Sequence, residues 1–258
     1  MTRPELPASF RAAPIAHRAL HDAHAGRAEN GPAAIAAAVA AGYGIEIDLQ
    51  LSADDVAMVF HDYALERMTG ADGSVRDHSA RALMALGLRG EDGAGIPTLA
   101  DALAAVRGRV PLLLELKDQA RAGGPGVGPL EHATAHALRD YSGPVAVMSF
   151  NPASVATMAH AAPAIPRGLT SCTFNEADAP ELDAATRARL AAIADFDTVG
   201  ASFVSHRAAD LEHPRIAELK RRRVPVLCWT IRSPREEEAA RRIADNITFE
   251  GYLPALAR

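Results

Sequence analysis

Short β-type runs alternate with alanine-rich helical stretches along almost the whole chain. We expect strands at residues 14–17, 44–51, 56–61, 110–117, 145–150, 167–171, 201–204, 224–230 and 246–249. We expect helices at residues 32–41, 99–106, 130–141, 152–161, 184–194, 214–222 and 234–244. This alternation is typical of a parallel α/β fold. If the run 56–61 is an extra hairpin arm, eight strands remain, and the count predicts a (β/α)8 TIM barrel.

The length of the chain favours one large domain. A chain of 258 residues with 48% hydrophobic residues can bury a single core of barrel size. We see no linker that would divide it, and we expect one domain over residues 1–258. Residues 63–97 have weak periodicity and several turn sequences. We therefore predict a small insertion there, at the mouth of the barrel after the second strand and its hairpin.

Charge and composition argue against several kinds of partner. The formal net charge of -5 does not indicate a nucleic-acid-binding surface. No run approaches the length of a membrane span, so we expect no stable membrane insertion. The first residues lack the pattern of an export signal, and Cys172 and Cys228 lie in or beside strand-like runs, as reduced core cysteines do. These features predict a cytoplasmic protein and leave the oligomeric state open.

The stretch Gly44–Asp62 places carboxylates on one face of a strand. Glu46 and Asp48 alternate with aliphatic residues, so one face is apolar and the other acidic. A hairpin turn centred on residues 53–54 would place Glu46 opposite His61. A solvated face of an edge strand is the alternative explanation for this segment alone.

Other ionisable side chains fall at the carboxyl ends of the predicted strands. His17 and Arg18 end the first strand, and Glu115 and Lys117 lie two residues apart at the end of another. Trp229 lies near the end of the strand at 224–230. Because barrel enzymes carry their chemistry at this rim, the convergence indicates a catalytic site rather than a solvated face.

The residue types indicate metal-assisted phosphodiester cleavage. Glu46, Asp48 and Glu115 would form a hard oxygen site suited to one divalent cation, Mg²⁺ or Ca²⁺, whereas zinc favours histidine or thiolate. Two nearby cations then call for an anionic substrate, most simply a phosphate. Two histidines from different strands could divide the acid and base roles.

Short motifs along the chain together resemble the glycerophosphodiester phosphodiesterase family. They are His-Arg at 17–18, Glu-Asn at 29–30, Glu-x-Asp at 46–48, His-Asp at 61–62, Leu-x-Arg-x-Thr at 65–69, Pro-Thr-Leu at 97–99, Glu-x-Lys at 115–117 and Trp-Thr at 229–230. No single motif is specific, but their order is, and it covers nearly the whole chain. The resemblance implies a barrel with an insertion after the His-Asp motif.

The resemblance also implies a role for each site residue. It implies acid/base catalysis by His17 and His61, substrate binding by Arg18, Lys117 and Trp229, and a divalent cation held by Glu46, Asp48 and Glu115. Arg18 and Lys117 would hold the phosphate and Trp229 would pack on the glycerol. Glu29 and Asn30 match a family motif at the mouth and support the site.

The implied activity is hydrolysis of a small-molecule glycerophosphodiester to sn-glycerol 3-phosphate and an alcohol. Phospholipase D- or C-like activity on lysolipids and a non-catalytic ligand-binding barrel are the alternatives. Two departures from the family pattern bear on substrate preference. Ala19 follows His17-Arg18 where the family usually has glycine, and the segment Ile247–Tyr252 replaces a typical Thr-Asp-x-Pro element.

Overall fold

A computed structural model describes residues 3–120, 127–177 and 179–256. The strands are β1 Ile15–Ala16, β2 Gly44–Leu51, β3 Ala57–Val59, β4 Leu112–Leu116, β5 Val145–Ser149, β6 Arg167–Ser171, β7 Phe203–Arg207, β8 Val226–Ile231 and β9 Asn246–Phe249. The helices are α1 Pro32–Ala41, α2 Glu66–Thr69, α3 Ala80–Met84, α4 Leu99–Val106, α5 Pro129–Leu138, α6 Pro152–Ala161, α7 Ala184–Ala191, α8 Pro214–Arg221 and α9 Pro234–Ala240.

Eight parallel strands close into a barrel. Their order is β1-β2-β4-β5-β6-β7-β8-β9, and β1 pairs with both β2 and β9. Helices follow most strands, so the fold is the predicted (β/α)8 TIM barrel. Several helix starts are fixed by side-chain caps, because the side chains of Thr98, Asn151 and Ser233 accept hydrogen bonds from the first turns of α4, α6 and α9.

Strand β2 is buried along all eight residues, which excludes a solvated edge strand. Ile45, Ile47 and Leu49 belong to the core cluster between the barrel and its helices. The alternate residues Glu46 and Asp48 therefore point into the barrel. Their burial is possible because the neighbouring strands and loops supply polar partners at the carboxyl ends of the strands.

The lower interior of the barrel is apolar and is closed by the N-terminal segment. A separate cluster joins side chains of β1, β4, β5, β7 and β8 to Leu6 and Phe10. Phe10 has no exposed surface, and Asn246 of β9 donates to its carbonyl oxygen at 2.8 Å. The polar site is thus confined to the opposite end of the barrel.

The β2–β3 hairpin forms, but the predicted register is wrong by one residue. Leu49 pairs with Val59, and the Phe60 amide donates to the Asp48 carbonyl at 2.9 Å, so Glu46 does not lie opposite His61. The reason is a longer turn over residues 52–56. The Ser52 hydroxyl accepts from the Val56 amide at 2.9 Å and lengthens the turn by one residue.

Strand β7 also differs from its predicted position. It was expected at 201–204 and lies at Phe203–Arg207. Its polar end is satisfied internally, since His206 Nδ1 lies 2.8 Å from the Ser171 hydroxyl and Arg207 donates to Asp210 at 2.6 Å. The apolar pattern alone did not indicate a strand with a buried histidine.

Between β3 and α4 the chain forms a short-helix segment with its own apolar cluster. The cluster includes Met58, Phe60, Leu65, Leu83 and Ile96. This segment carries α2 and α3, and Glu66 and Arg67 of α2 border a cavity at the polar end of the barrel. The single domain over residues 1–258, with an insertion at about 63–97, stays a prediction. Within the described residues, no helix combines the length and apolarity needed to cross a bilayer.

Candidate active site

Three carboxylates from two adjacent strands form the centre of the polar site. Glu46 and Asp48 lie on β2, and Glu115 lies on β4 directly beside Asp48 in the parallel register. One oxygen from each lies within 4.8 Å of the others. The residues are only 2%, 2% and 6% exposed. Such a buried oxygen cluster is what a hard divalent cation requires, and the donor set fits Mg²⁺ or Ca²⁺.

The electrostatics of this cluster also fit a cation. Burial, together with the charges of Asp48 and Glu115, raises the pKa of Glu46 well above its usual value. Burial opposes the charged form of Asp48 too, but the charges of Lys117, His61 and Arg18 outweigh it and lower the pKa of Asp48. Without further positive charge, the carboxylates thus oppose one another's ionisation.

Lys117 bridges two of the carboxylates. Its Nζ lies 2.9 Å from Asp48 Oδ1 and 2.6 Å from Glu115 Oε1. Burial disfavours the charged amine, but the two carboxylates outweigh that effect and raise the pKa of Lys117. The ammonium is therefore held charged at the edge of the acidic cluster, where it can also meet a phosphate oxygen.

Arg18 and Asn30 hold the acidic strand from the β1 side. The Arg18 amide donates to Glu46 Oε2 at 2.9 Å, and its guanidinium lies 3.6 Å from Asp48 Oδ2 and 3.0 Å from Glu29 Oε1. Asn30 donates to Asp48 Oδ2 at 3.0 Å and accepts from the Asp48 amide at 3.1 Å. The sequence indicated Glu29 and Asn30 only as part of a motif. In the structure, Glu29 fixes Arg18 and Asn30 fixes Asp48.

The loop after β1 explains why glycine suits position 19. Ala19 has a φ of 64°. This lies in the left-handed region, which costs residues other than glycine about 1–2 kcal/mol. Its amide nevertheless donates to the Glu46 carbonyl at 2.9 Å. The loop therefore keeps a glycine-type conformation despite the alanine.

His17 lies at the end of β1 and is paired with Glu250, a residue that the sequence did not single out. His17 Nδ1 lies 2.6 Å from Glu250 Oε2, and Arg232 Nε donates to Glu250 Oε1 at 2.8 Å. His21 Nε2 lies 3.7 Å from the same carboxylate. The hydrogen bond with His17, the nearby His21 ring and the charge of Arg232 lower the pKa of Glu250. The carboxylate thus stays charged and fixes the His17 ring.

The arrangement around His61 repeats this pattern. His61 Nδ1 lies 2.7 Å from Asp62 Oδ1, and Arg67 Nε donates to Asp62 Oδ2 at 2.5 Å. Arg67, from α2, also donates to Glu29 at 2.5 Å and 3.0 Å. Each histidine therefore has a carboxylate on Nδ1 and an arginine behind that carboxylate. In both, Nε2 remains as the ring nitrogen that can exchange a proton.

Two connected cavities meet at this site. The smaller, about 180 Å³, is bordered by both histidines, all three carboxylates, Arg18 and Lys117. The larger, about 1040 Å³, opens on the other side. His61, Glu115, Lys117, Phe150 and Trp229 border both. Trp229 is fixed by a hydrogen bond from Nε1 to the Ser205 carbonyl at 3.1 Å.

The structure brings together all eight residues that the sequence selected. His17, Arg18, Glu46, Asp48, His61, Glu115, Lys117 and Trp229 border the smaller cavity. Sequence reasoning did not select Glu250 and Arg232. Glu250 lies in the divergent Ile247–Tyr252 segment, and the only available signal was an acidic residue directly after the β9 strand.

Comparison with known proteins agrees with this geometry. The model of the glycerophosphoryl diester phosphodiesterase family matches residues 17–247. No curated protein sequence matches the chain significantly.

Solved structures share the fold at low sequence identity. An Oleispira antarctica phosphodiesterase, solved with the product sn-glycerol-3-phosphate, has 22% identity and a TM-score of 0.74 over 94% of each chain. A glycerophosphodiester phosphodiesterase from Agrobacterium tumefaciens has 23% identity and a TM-score of 0.68, over 92% of this chain and 96% of that one. A glycerophosphodiester phosphodiesterase from Parabacteroides distasonis has 21% identity and a TM-score of 0.70 over 91% of each chain. With the family match spanning most of its length, the chain belongs to the glycerophosphoryl diester phosphodiesterase family.

Proposed function

We propose that the protein is a metal-dependent phosphodiesterase that hydrolyses glycerophosphodiesters to sn-glycerol 3-phosphate and an alcohol. The observation that carries the proposal is one small cavity bordered by three buried carboxylates, two cationic side chains and two carboxylate-paired histidines. The similar Oleispira enzyme, solved with sn-glycerol-3-phosphate, supports the choice of product. A cytoplasmic location stays a prediction.

Glu46, Asp48 and Glu115 would hold the divalent cation. When bound, a divalent cation neutralises charge on phosphate oxygens and so favours attack at phosphorus. The three carboxylates outnumber the two nearby cations, Lys117 and Arg18, and burial together with the charges of Asp48 and Glu115 raises the pKa of Glu46. The choice between Mg²⁺ and Ca²⁺ is left open by this donor set.

Arg18 and Lys117 bind and orient the phosphate. Both border the small cavity, and both are anchored by carboxylates, which keeps their positions fixed when the phosphate enters. Fixed cations stabilise the negative charge that builds up on the phosphate during attack without reorganising. The Trp229 ring packs on the glycerol beside them.

The two histidines divide the proton transfers. His61 borders both cavities, and we assign it to protonate the leaving alcohol. His17 borders the small cavity, and we assign it to take the proton of the attacking hydroxyl. The attacking group is the glycerol 2-hydroxyl, which gains a large effective concentration over water. A cyclic phosphate forms, and water then opens it with the two histidines in exchanged roles.

The proposal is tested by measuring sn-glycerol 3-phosphate released from glycerophosphocholine in the presence of Mg²⁺ or Ca²⁺. We expect release by the wild-type protein and by a Glu237→Gln control on α9, and a loss of at least about a hundredfold in His61→Ala. Binding without release would identify a non-catalytic barrel. Choline release from lysophosphatidylcholine, with glycerophosphocholine untouched, would identify the lysolipid activity instead.

A further inference from the structure

The larger cavity has a volume far beyond the needs of a small alcohol. It holds about 1040 Å³ against about 180 Å³ for the cavity at the carboxylates. Its size is at the upper end of ordinary small-molecule sites, which span roughly 300–1,000 Å³. The two cavities join at His61, Lys117 and Trp229. A group that enters the larger cavity would therefore remain attached to a phosphate held in the smaller one.

One wall of the larger cavity is apolar. It comes from the chain between β6 and the end of α7, and its residues are Cys172, Phe174, Ala179, Leu182 and Leu190. Phe150 and Trp229 extend this wall toward the catalytic residues, with ring centroids 5.6 Å apart. Charged side chains also border the cavity: Glu66 and Arg67 on α2, Glu181 next to Leu182, and Arg207 at the end of β7. The cavity thus combines a cluster of apolar side chains with charged ones.

We propose that this cavity binds an aliphatic chain carried by the alcohol arm of the substrate. The proposal rests on the proposed function and narrows its substrate class to glycerophosphodiesters of alkyl alcohols. The glycerol 3-phosphate half belongs in the small polar cavity beside Arg18, Glu46 and Asp48. The second arm then passes His61, the acid assigned to the leaving oxygen, and reaches the apolar wall.

A quaternary ammonium group is the competing occupant. Phe150 forms edge-to-face contacts with Phe174 and with Trp229, and the three rings could surround a cation. Beyond these rings, however, Ala179, Leu182 and Leu190 offer aliphatic surface beside Glu181. A trimethylammonium group does not need those residues, whereas a chain of several carbons gains free energy from each methylene it buries.

A binding experiment separates these occupants without requiring turnover. Trp229 is the only tryptophan in the chain and borders both cavities, so its fluorescence reports on occupancy. We expect octyl phosphate to change this fluorescence at concentrations at least tenfold lower than phosphocholine or inorganic phosphate. Equal or tighter binding of phosphocholine would overturn the proposal. If octyl phosphate binds tightly and no diester is hydrolysed, the chain-binding site stands and the proposed function fails.

A kinetic series tests the same site in the working enzyme. Among glycerophosphodiesters of ethanol, butanol, hexanol and octanol, kcat/KM for glycerol 3-phosphate release should rise by up to about fourfold per methylene. A flat series would contradict the proposal. So would a preference for lysophosphatidylcholine with choline release, because the chain would then sit on the glycerol arm.

Variants of the apolar wall complete the test. In Leu182→Gln, we expect the ratio of kcat/KM for the octyl and ethyl substrates to fall about tenfold. Leu253→Gln is the matched control, because Leu253 is 70% exposed, and its ratio should stay at the wild-type value. Ala179→Leu fills the cavity without adding polarity and should also lower the ratio. An unchanged ratio in folded Leu182→Gln and Ala179→Leu proteins would refute the assignment.

Discussion

Glu250 offers a sharp test of how the histidines are positioned. Its carboxylate lies 2.6 Å from His17 Nδ1 and is held from behind by Arg232. In the proposed mechanism His17 takes a proton in the transition state, so its ring gains positive charge and the pairing becomes stronger than in the ground state. An interaction of that kind lowers the barrier to reaction and therefore raises kcat.

The size of the effect follows from the type of bond. A hydrogen bond to a charged group contributes about 1.5–3 kcal/mol, so Glu250→Ala should lower kcat by about 10- to 150-fold at 1.36 kcal/mol per decade. A neutral acceptor keeps about half of that strength, so Glu250→Gln should lower kcat by about four- to tenfold. KM should change little in both, because Glu250 contacts the histidine and not the phosphate.

The assay uses two leaving groups to separate the two histidines. With p-nitrophenol, which leaves without needing a proton, Asp62→Asn should recover most of its activity because Asp62 supports His61, the acid. Glu250→Gln should recover none. Glu237→Gln, a carboxylate on α9 that accepts from Arg241 at 2.7 Å, is the control and should match the wild type. Wild-type kcat in both Glu250 variants, or rescue of Glu250→Gln by p-nitrophenol, would refute this division of roles.

Three further outcomes are expected. A substrate lacking the glycerol 2-hydroxyl should bind but turn over at least about a hundredfold more slowly, and equal rates would favour direct attack by water. Ala19→Gly should raise the free energy of unfolding by about 1 kcal/mol in denaturant titrations, since it removes a left-handed alanine. Burial lowers the pKa of His206 to about 4, below the ordinary 6.5, so its contribution to stability is complete above about pH 6.5 and is lost as the pH falls. As the pH falls from 7.5 to 4.5, the titration of His206 should lower the free energy of unfolding by about 2–3 kcal/mol. The His206→Gln variant should lose that part of the pH dependence.

The clustered carboxylates were predictable because their signal is local. Glu46 and Asp48 interrupt an aliphatic strand at the positions that face the barrel interior. Glu115 does the same on β4, and Lys117 follows directly after that strand. In a parallel barrel the carboxyl ends of all strands meet at one rim. Alternation within each strand was therefore enough to bring these residues together without knowing the loops.

The partner of His17 was not predictable in this way. Glu250 lies 233 residues away in sequence, and its side chain reaches the histidine only because β1 and β9 pair when the barrel closes. The prediction of the β2–β3 turn was wrong for a different reason. Its length depends on a hydrogen bond from the Val56 amide to the Ser52 side chain, and one residue more or less in a turn leaves the strand pattern unchanged.

The position of β7 shows a third limit of prediction from sequence. The strand ends in Ser205, His206 and Arg207, which an apolar pattern assigns to a loop. His206 and Arg207 are tolerated in a strand because neighbours from β6 and the following turn supply hydrogen bonds. Burial of polar groups depends on such tertiary partners, and they are invisible until the fold is known.

We propose that the carboxylate cluster supports metal-dependent cleavage of glycerophosphodiesters. This is tested by measuring sn-glycerol 3-phosphate release from glycerophosphocholine by protein stripped of metal with a chelator, before and after Mg²⁺ or Ca²⁺ is added back. We expect that release stops in the stripped wild-type protein, returns with one of the two cations, and does not return in Glu46→Gln. Full activity in thoroughly stripped protein, or wild-type restoration in Glu46→Gln, would contradict it.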